Sequence, residues 1–492
     1  MTIETDTKLP NSWILTTISE IAEYVQRGKS PKYTDWSELP VINQKCIRWH
    51  GIDSEYLKFI HPEQWEKWSE ERFLQEGDIL WNSTGTGTIG RAAIFQGLPE
   101  YKKAVVDSHV TIVRTKNYNQ KLLQYWIMSP AIQFKIDGMY TGSTNQVELS
   151  KTEVLSTSLP LPPLNEQKRI VAKIEALQTR STAVKEELEA IKPLLNQFRQ
   201  SVLASAFRGD LTKDWREQNP DVENYKIIKL KSPVIIGESE ETLPNTWKWS
   251  LLTEIAKLES GHTPRKSVPE YWEGGDVPWI CLKDIRAVHG KIIENTLHMP
   301  TMLGIENSSA RLLPKDTVCF SRDISVGFVT IMGRSMATTQ HFANWICGNQ
   351  LLNKYLMYAF MASRYFLIQS GEGTTVRTIY MPALKKMRVV LAPLEEQKEI
   401  VRRIESLFKL ADNIEQQYQQ AEINLETLNQ SILAEAFRGE LVSQDPNDEP
   451  ASVLLERIRE ERDKAKATPK KSKTKKKRSA NKKDEQLGIP GM

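Results

Sequence analysis

Cysteine is scarce in this chain, and the four present, Cys46, Cys281, Cys319 and Cys347, form no CxxC pair. That spacing argues against a zinc knuckle and gives no disulfide framework, so the thiols read as small buried apolar groups. Histidine is also sparse. His50, His61, His109, His262, His289, His298 and His341 are scattered through 492 residues, and none is spaced as a metal-ligand pair. Each alone reads as a surface or core histidine rather than a catalyst. No apolar run reaches the roughly 18 residues of a membrane span, and the start of the chain lacks a signal-peptide pattern. A cytoplasmic protein with no membrane partner is expected.

Net charge is small too, but the formal +4 hides a partition. Residues 464–492 carry 11 basic and 2 acidic side chains, which leaves 55 basic against 60 acidic in the body. A body at −5 meets a polyanion through local patches rather than its overall field. Residues 464–492 carry +9, and the stretch from about 467 on, a low-complexity disordered segment by composition, is expected to add non-specific, salt-sensitive attraction to a polyanion at most.

What the chain does have is itself, twice. Leu9-Pro10-Asn11-Ser12-Trp13 returns as Leu243-Pro244-Asn245-Thr246-Trp247. Pro163-Leu164-Asn165-Glu166-Gln167-Lys168 returns as Pro393-Leu394-Glu395-Glu396-Gln397-Lys398, and Ala206-Phe207-Arg208-Gly209 as Ala436-Phe437-Arg438-Gly439. Three matches in one order at a period near 230 residues mean two copies of one module.

After each Pro-Leu-x-Glu-Gln segment the apolar or small positions step by 4 and 3. The first stripe runs Ile170, Ile174, Leu177, Ser181, Val184, Leu188, Ile191, Leu195, Phe198, Val202. The second runs Ile400, Ile404, Leu407, Ala411, Ile414, Tyr418, Ala421, Leu425, Leu428, Ile432. A 3.5-residue period over four heptads predicts a coiled coil whose two stripes are each other's partners. Pro163 and Pro393 suit helix starts, Glu166 and Glu396 the positive first turn, and Gly209 and Gly439 the C-caps. Pro193 is expected to kink or strain the first helix. Antiparallel pairing is preferred, because the end of the first helix then already lies beside the second module. The expected architecture is α+β: two mixed α/β regions joined by an antiparallel coiled coil of two long helices, with pseudo-two-fold symmetry from the duplication.

The predicted boundaries are 1–162 and 243–392 for the globular regions, 163–211 and 393–441 for the helices, 212–242 for a linker, and 442–466 for a C-terminal helical segment. Strand-like stretches occur around 78–82, 104–106 and 109–114, and around 317–321 and 328–332. Between about 34 and 119, and 267 and 349, the copies do not align, which implies a shared frame with different interiors.

Gly85-Thr86-Gly87-Thr88-Ile89-Gly90 fits GxGxxG. A dinucleotide site needs a helix after the third glycine, whereas Arg91-Ala92-Ala93-Ile94-Phe95 reads as a short strand; a phosphate loop needs Lys then Ser or Thr, where Arg91 and Ala92 stand. A glycine-rich hairpin is the better reading. No Asn-Pro-Pro-Tyr motif of an adenine methyltransferase is present, and no catalytic or metal constellation emerges.

Over nearly its whole length the sequence resembles the specificity subunit of type I restriction-modification systems. The carriers are the duplicated Leu-Pro-x-x-Trp starts, the paired Pro-Leu-x-Glu-Gln-Lys and Ala-Phe-Arg-Gly segments, and the stretch from Asp445 to Leu455. Gly261-His262-Thr263-Pro264, followed by Tyr271-Trp272 and Val277-Pro278-Trp279-Ile280, is similar to one class of the family's recognition domains. The resemblance implies two target recognition domains, each reading half of a bipartite, asymmetric double-stranded DNA site, with the helices setting the gap. It implies no cofactor in this subunit and two methyltransferase subunits as partners, with S-adenosylmethionine, ATP and Mg bound by those and by the restriction (motor-nuclease) subunits. Exposed helix residues Lys168, Arg169, Lys173, Lys185 and Glu186 would help dock the methyltransferases. The rival from another class is a structural coiled-coil protein with protein-binding end domains.

Base edges are read by Arg, Lys, Asn, Gln, Ser and Thr, and phosphates by Lys, Arg and backbone amides. On that chemistry the first domain's candidates are Arg27, Lys29, Lys32, Lys45, Arg48, Ser83, Thr84, Thr86, Arg91, Thr144, Asn145 and Gln146. The second domain's are Thr263, Arg265, Lys266, Lys283, Arg286, Arg322, Thr374, Thr375 and Arg377. Trp49, Trp81 and Trp279 are read as core.

Overall fold

The computed structural model describes residues 9–141, 147–219, 230–237, 246–373 and 377–467. Two long helices dominate it, Leu164–Arg208 and Leu394–Arg438, each of 45 residues. Gly209 (φ 83°) and Gly439 (φ 76°) close them in the left-handed conformation that a side chain resists. The first helix runs on through Pro193, where a kink or local strain was expected, without a break. That residue is exposed, so water can take the carbonyl that proline leaves without a helical donor. Among the described residues no helix is long and apolar enough to cross a membrane.

The compact units do not follow the sequence repeat. One comprises residues 1–185 and 423–492, the other 186–422. In the first, Ile170, Val171 and Ile174 from the start of one helix share a core with Ile432, Leu433, Ala436 and Phe437 from the end of the other. Ser181 Oγ donates to Asn429 Oδ1 at 2.8 Å. In the second unit, Val202, Leu203, Ala206 and Phe207 share a core with Ile400, Val401 and Ile404. Arg199 there pairs with Asp412 and Glu415 at 2.7 and 2.8 Å. Within each unit one helix ascends in number while the other descends, so the pairing is antiparallel. Midway the seam thins: Val184, Ile414 and Leu428 of the predicted stripes are exposed.

Each globular part has one frame. In the first unit a four-stranded antiparallel sheet orders Ala22–Arg27, Val110–Thr115, Ile79–Asn82 and Ala92–Ile94. In the second, Ala256–Ser260, Phe342–Cys347, Val318–Ser321 and Val329–Met332 follow the same order, extended by Ile292–Ile293. A parallel two-strand contact accompanies each sheet, Val41–Ile42 with Val105–Val106 and Trp279–Ile280 with Ala337–Thr338. Residues that resist alignment as sequence therefore fold alike. The inserts differ: the first unit adds the hairpin Ile47–Arg48 with Gly51–Ile52, the second the helix Leu282–Ala287.

The duplicated motifs meet across each unit. Trp13 Nε1 donates to Glu166 Oε2 at 3.0 Å, and Trp247 Nε1 to Glu396 Oε2 at 2.9 Å. Gln167 accepts from Asn119 N and donates to Pro162 O, while Gln397 accepts from Leu352 N and donates to Ala392 O. The motif's Glu and Gln thus lock each helix start to its own sheet layer, and all four side chains are buried.

The stretch expected to be a plain linker, 212–242, contributes structure to the second unit. Lys213–Gln218 is helical, and Val234–Ile236 pairs antiparallel with Met387–Leu391 as the third strand of a sheet completed by Lys248–Leu251. Its counterpart in the first unit has two strands, Ile14–Thr17 and Ser158–Leu161. There the outer edge is closed otherwise: Pro160 has no N–H to offer, and Trp126 Nε1 donates to Ser158 O at 3.0 Å. The C-terminal helix, Ala451–Ala467, packs Ala451, Leu454, Leu455 and Ile458 into the first unit's core, where Asp448 holds Arg169 at 2.6 Å. Arg169 is therefore committed within the chain rather than free for docking. The basic tail from 468 lies outside the described residues.

Candidate nucleic-acid interface

Loops joined by hydrogen bonds gather at one end of each sheet. In the first unit the turn after Ala22–Arg27 is pinned by Gly28 N to Val110 O at 3.0 Å. A Cβ on Gly28 would lie 2.0 Å from Asp107 O, so only glycine fits. The next loop is the glycine-rich hairpin between Ile79–Asn82 and Ala92–Ile94, with strand rather than helix after its last glycine, as expected. Ser83 N donates to His109 O at 2.9 Å, Leu149 N to Ser83 O at 2.8 Å, and Thr84 bridges Glu148. Gln44 ties in the 44–52 hairpin, accepting from Asn82 Nδ2 at its carbonyl and from Thr88 Oγ1 at its side chain.

The second unit repeats the close glycine turn and the bonds between the loops. Gly261 abuts Thr338 O and Thr339 O at 2.2 and 2.4 Å from its would-be Cβ. Arg322 N donates to His341 O at 3.0 Å, Ile379 N to Arg322 O at 2.8 Å, and Asp323 bridges Thr378.

Lys29, Lys45, Thr86, Arg265, Lys266 and Lys283 are exposed. Arg48 is half-buried beside Asp53 (3.5 Å) and over the Tyr56 ring, and Arg91 reaches back to Gly87 O at 2.7 Å. Arg286 is exposed and bonds Ser325 Oγ at 2.8 Å, which brings it to the loop that carries Arg322. Thr263 Oγ1 donates to Gln340 Oε1 at 2.7 Å. Lys32 is exposed, its backbone N bonded to Gln64 and its ammonium 3.8 Å from Glu63. Arg377 is tied to Ile368 O and Gln369.

Some expectations fail. Ser83 is buried with its hydroxyl 2.6 Å from Thr111 Oγ1, because it prolongs the strand and points inward. Arg27 spends its guanidinium on Glu148 and Ser108 O, and burial lowers its pKa. Thr84 is half-buried with its hydroxyl shielded from solvent, so it too is less open than expected. Trp81 and Trp279 are core, but Trp49 at the hairpin tip is exposed. Thr144, Asn145, Gln146, Thr374 and Thr375 lie outside the described residues. The cysteines behave as small apolar groups: burial pushes the Cys46 thiol up to about 11 and Cys347 to about 12, far from a reactive thiolate.

Sequence reasoning missed Gln44, Ser108, His109, Asp323, Gln340 and His341. A signal existed: a polar residue, His, then an apolar residue opens a six-residue strand in both copies, at 108–110 and 340–342.

Comparison with known proteins settles the kinship. The model of the type I restriction modification DNA specificity domain matches residues 10–192 and again 244–425. The chain belongs to this family. It is 26% identical over 482 residues to the EcoKI specificity subunit of Escherichia coli K12, covering 92% of this chain and 96% of that one. It is 31% identical over 346 residues to the EcoBI specificity subunit of Escherichia coli, covering 65% and 68%. The fold is shared with the HsdS subunit from Thermoanaerobacter tengcongensis (TM-score 0.56, 19% identity, 88% and 98% covered). It is also shared with a chain solved in work on assembly and conformational transition of the type I R-M system (TM-score 0.64, 19%, 88% and 99%). Both matched stretches of the specificity family end inside a long helix, so the family's repeat is the sequence repeat and the folding unit cuts across it.

Proposed function

We propose that this chain is the DNA-recognition subunit of a type I restriction-modification complex, reading a two-part target with different sequences in its halves. The observation that carries the reading is that the two units keep the same sheet order and loop connections while the side chains on those loops differ. Equal frames place equal reading heads on DNA, and unequal side chains on base edges read unequal sequences. The exposed lysines and arginines on these loops supply the phosphate contacts that a body of net negative charge otherwise lacks. Chemistry on the DNA belongs to the partners: two methyltransferase subunits using S-adenosylmethionine, and restriction subunits using ATP and Mg.

Replacing residues 34–119 by the corresponding segment of a relative with another target tests this, with methylated adenines mapped in cells that also carry the methyltransferase. One half-site should change and the other stay. A change in both halves or in neither defeats the two-reader model. Absence of sequence-dependent DNA affinity with methyltransferase present would favour the rival coiled-coil scaffold.

A further inference from the structure

At the centre of each loop cluster the same polar node is assembled from different residues. In the second unit Thr263 Oγ1 donates to Gln340 Oε1 (2.7 Å), and His341 Nδ1 lies 2.5 Å from Asp323 Oδ1. Arg322 holds Gln340 O with both Nε and Nη2, at 3.2 and 3.1 Å. In the first unit Ser30 Oγ lies 2.6 Å from Ser108 Oγ, His109 Nδ1 is 3.1 Å from Asp107 Oδ2, and Arg27 holds Ser108 O. Backbone bonds fix the equivalence, since Ser83 N meets His109 O as Arg322 N meets His341 O. The carboxylate comes from two residues before the histidine in one unit and from the neighbouring loop in the other. The arginine has likewise changed position. Geometry is kept while its makers are exchanged.

A feature common to two readers cannot tell their half-sites apart, whereas a residue that differs on that common frame can. We propose that Ser108 and Gln340 are equivalent base-reading residues, each held by a hydroxyl and by an arginine on its own carbonyl, and each followed by a carboxylate-bound histidine. This rests on the DNA-recognition reading above. Gln340 is exposed. Its amide nitrogen lies 3.5 Å from His341 Nε2, a distance too long to commit it, and its oxygen keeps a second lone pair beyond the bond from Thr263. A carboxamide so presented matches the N6 donor and N7 acceptor of adenine in the major groove, while the shorter Ser108 makes a single, less selective contact. Thr263 and His341 are positioning residues in this scheme.

The test uses the full chain with its methyltransferase and a duplex DNA library randomised over the target. Gln340→Ser should lower discrimination at one base pair of one half-site by about tenfold or more, with the other half-site unchanged. Ser108→Gln should alter only the other half-site. Thr263→Ala should relax the same base pair as Gln340→Ser, and Thr263→Ser should restore it, which a merely structural hydroxyl would not do for specificity. Variants that keep the parent's profile at every position overturn the assignment while leaving the recognition function intact. A parent with no sequence preference overturns both.

Discussion

The two units bury the same carboxylate at the same place and satisfy it differently. Glu166 receives Trp13 and, at 2.5 Å, the neutral amide of Gln444; burial raises its pKa against those bonds. Glu396 receives Trp247, Thr212 at 2.9 Å and the buried guanidinium of Arg216. In both cases the extra donor comes from the segment that follows the other long helix, so each helix start is sealed by the far end of its partner. The difference is a cation in one unit and a carboxamide in the other. A buried ion pair broken on one side leaves an uncompensated charge, while a lost neutral bond leaves only an unmet acceptor.

Unequal losses should follow. Arg216→Ala is expected to destabilise the second unit by about 3–5 kcal/mol, and Gln444→Ala the first by about 1–3 kcal/mol. Urea unfolding with the tryptophan signal measures both, and equal losses would show that the cation contributes no more than a hydrogen bond. Next in size are the two turns. Gly28→Ala and Gly261→Ala each press a methyl into backbone carbonyls that cannot swing away. Each should cost about 1–3 kcal/mol and weaken DNA binding through the displaced loop. A loss in one unit alone would mean that the loop connections only look equivalent.

The long helices were legible because heptad spacing, a Pro start and a Gly stop are local signals, and the carriers all sit where expected. The folding unit was legible in part: antiparallel pairing already put the end of the first helix beside the second module, but no local signal marks where along the helices burial divides them, after 185 and before 423. Nothing local in Ala206-Phe207-Arg208-Gly209 says that Phe207 will pack against the Tyr355 ring. Basic turns were found because charge is visible in sequence, and Lys29, Lys45 and Lys283 are indeed exposed. Ser83 was misplaced because one residue decides which face of a strand a side chain takes. Ser108 and Gln340 went unseen because the inserts between 34 and 119 and between 267 and 349 differ in length and filling, which hides the frame they share.

The smallest expected effect sharpens the comparison at one more matched position. Six residues after the proline, the first helix carries Arg169, held by Asp448, whose carboxyl is lowered by that arginine. The second helix carries Glu399 at the same step, bonded to Arg402 and Arg403, and Arg403 in turn holds Asp214 at 2.5 Å. The charge is reversed, yet each residue helps pin the segment that follows the other helix. Arg402 first, then Arg403, hold the Glu399 carboxyl down to about 2, below its ordinary 4.5. A depressed folded-state pKa adds stability above the unfolded value and loses it as pH falls from about 4.5 towards 2. Glu399→Gln should therefore melt lower than the parent at pH 6, with the gap closing as the pH approaches 2. Because Arg402 is largely exposed, solvent screening keeps the gap to a few tenths up to about 1 kcal/mol. A gap that persists unchanged at the acid end would place the role of Glu399 in packing rather than in its charge.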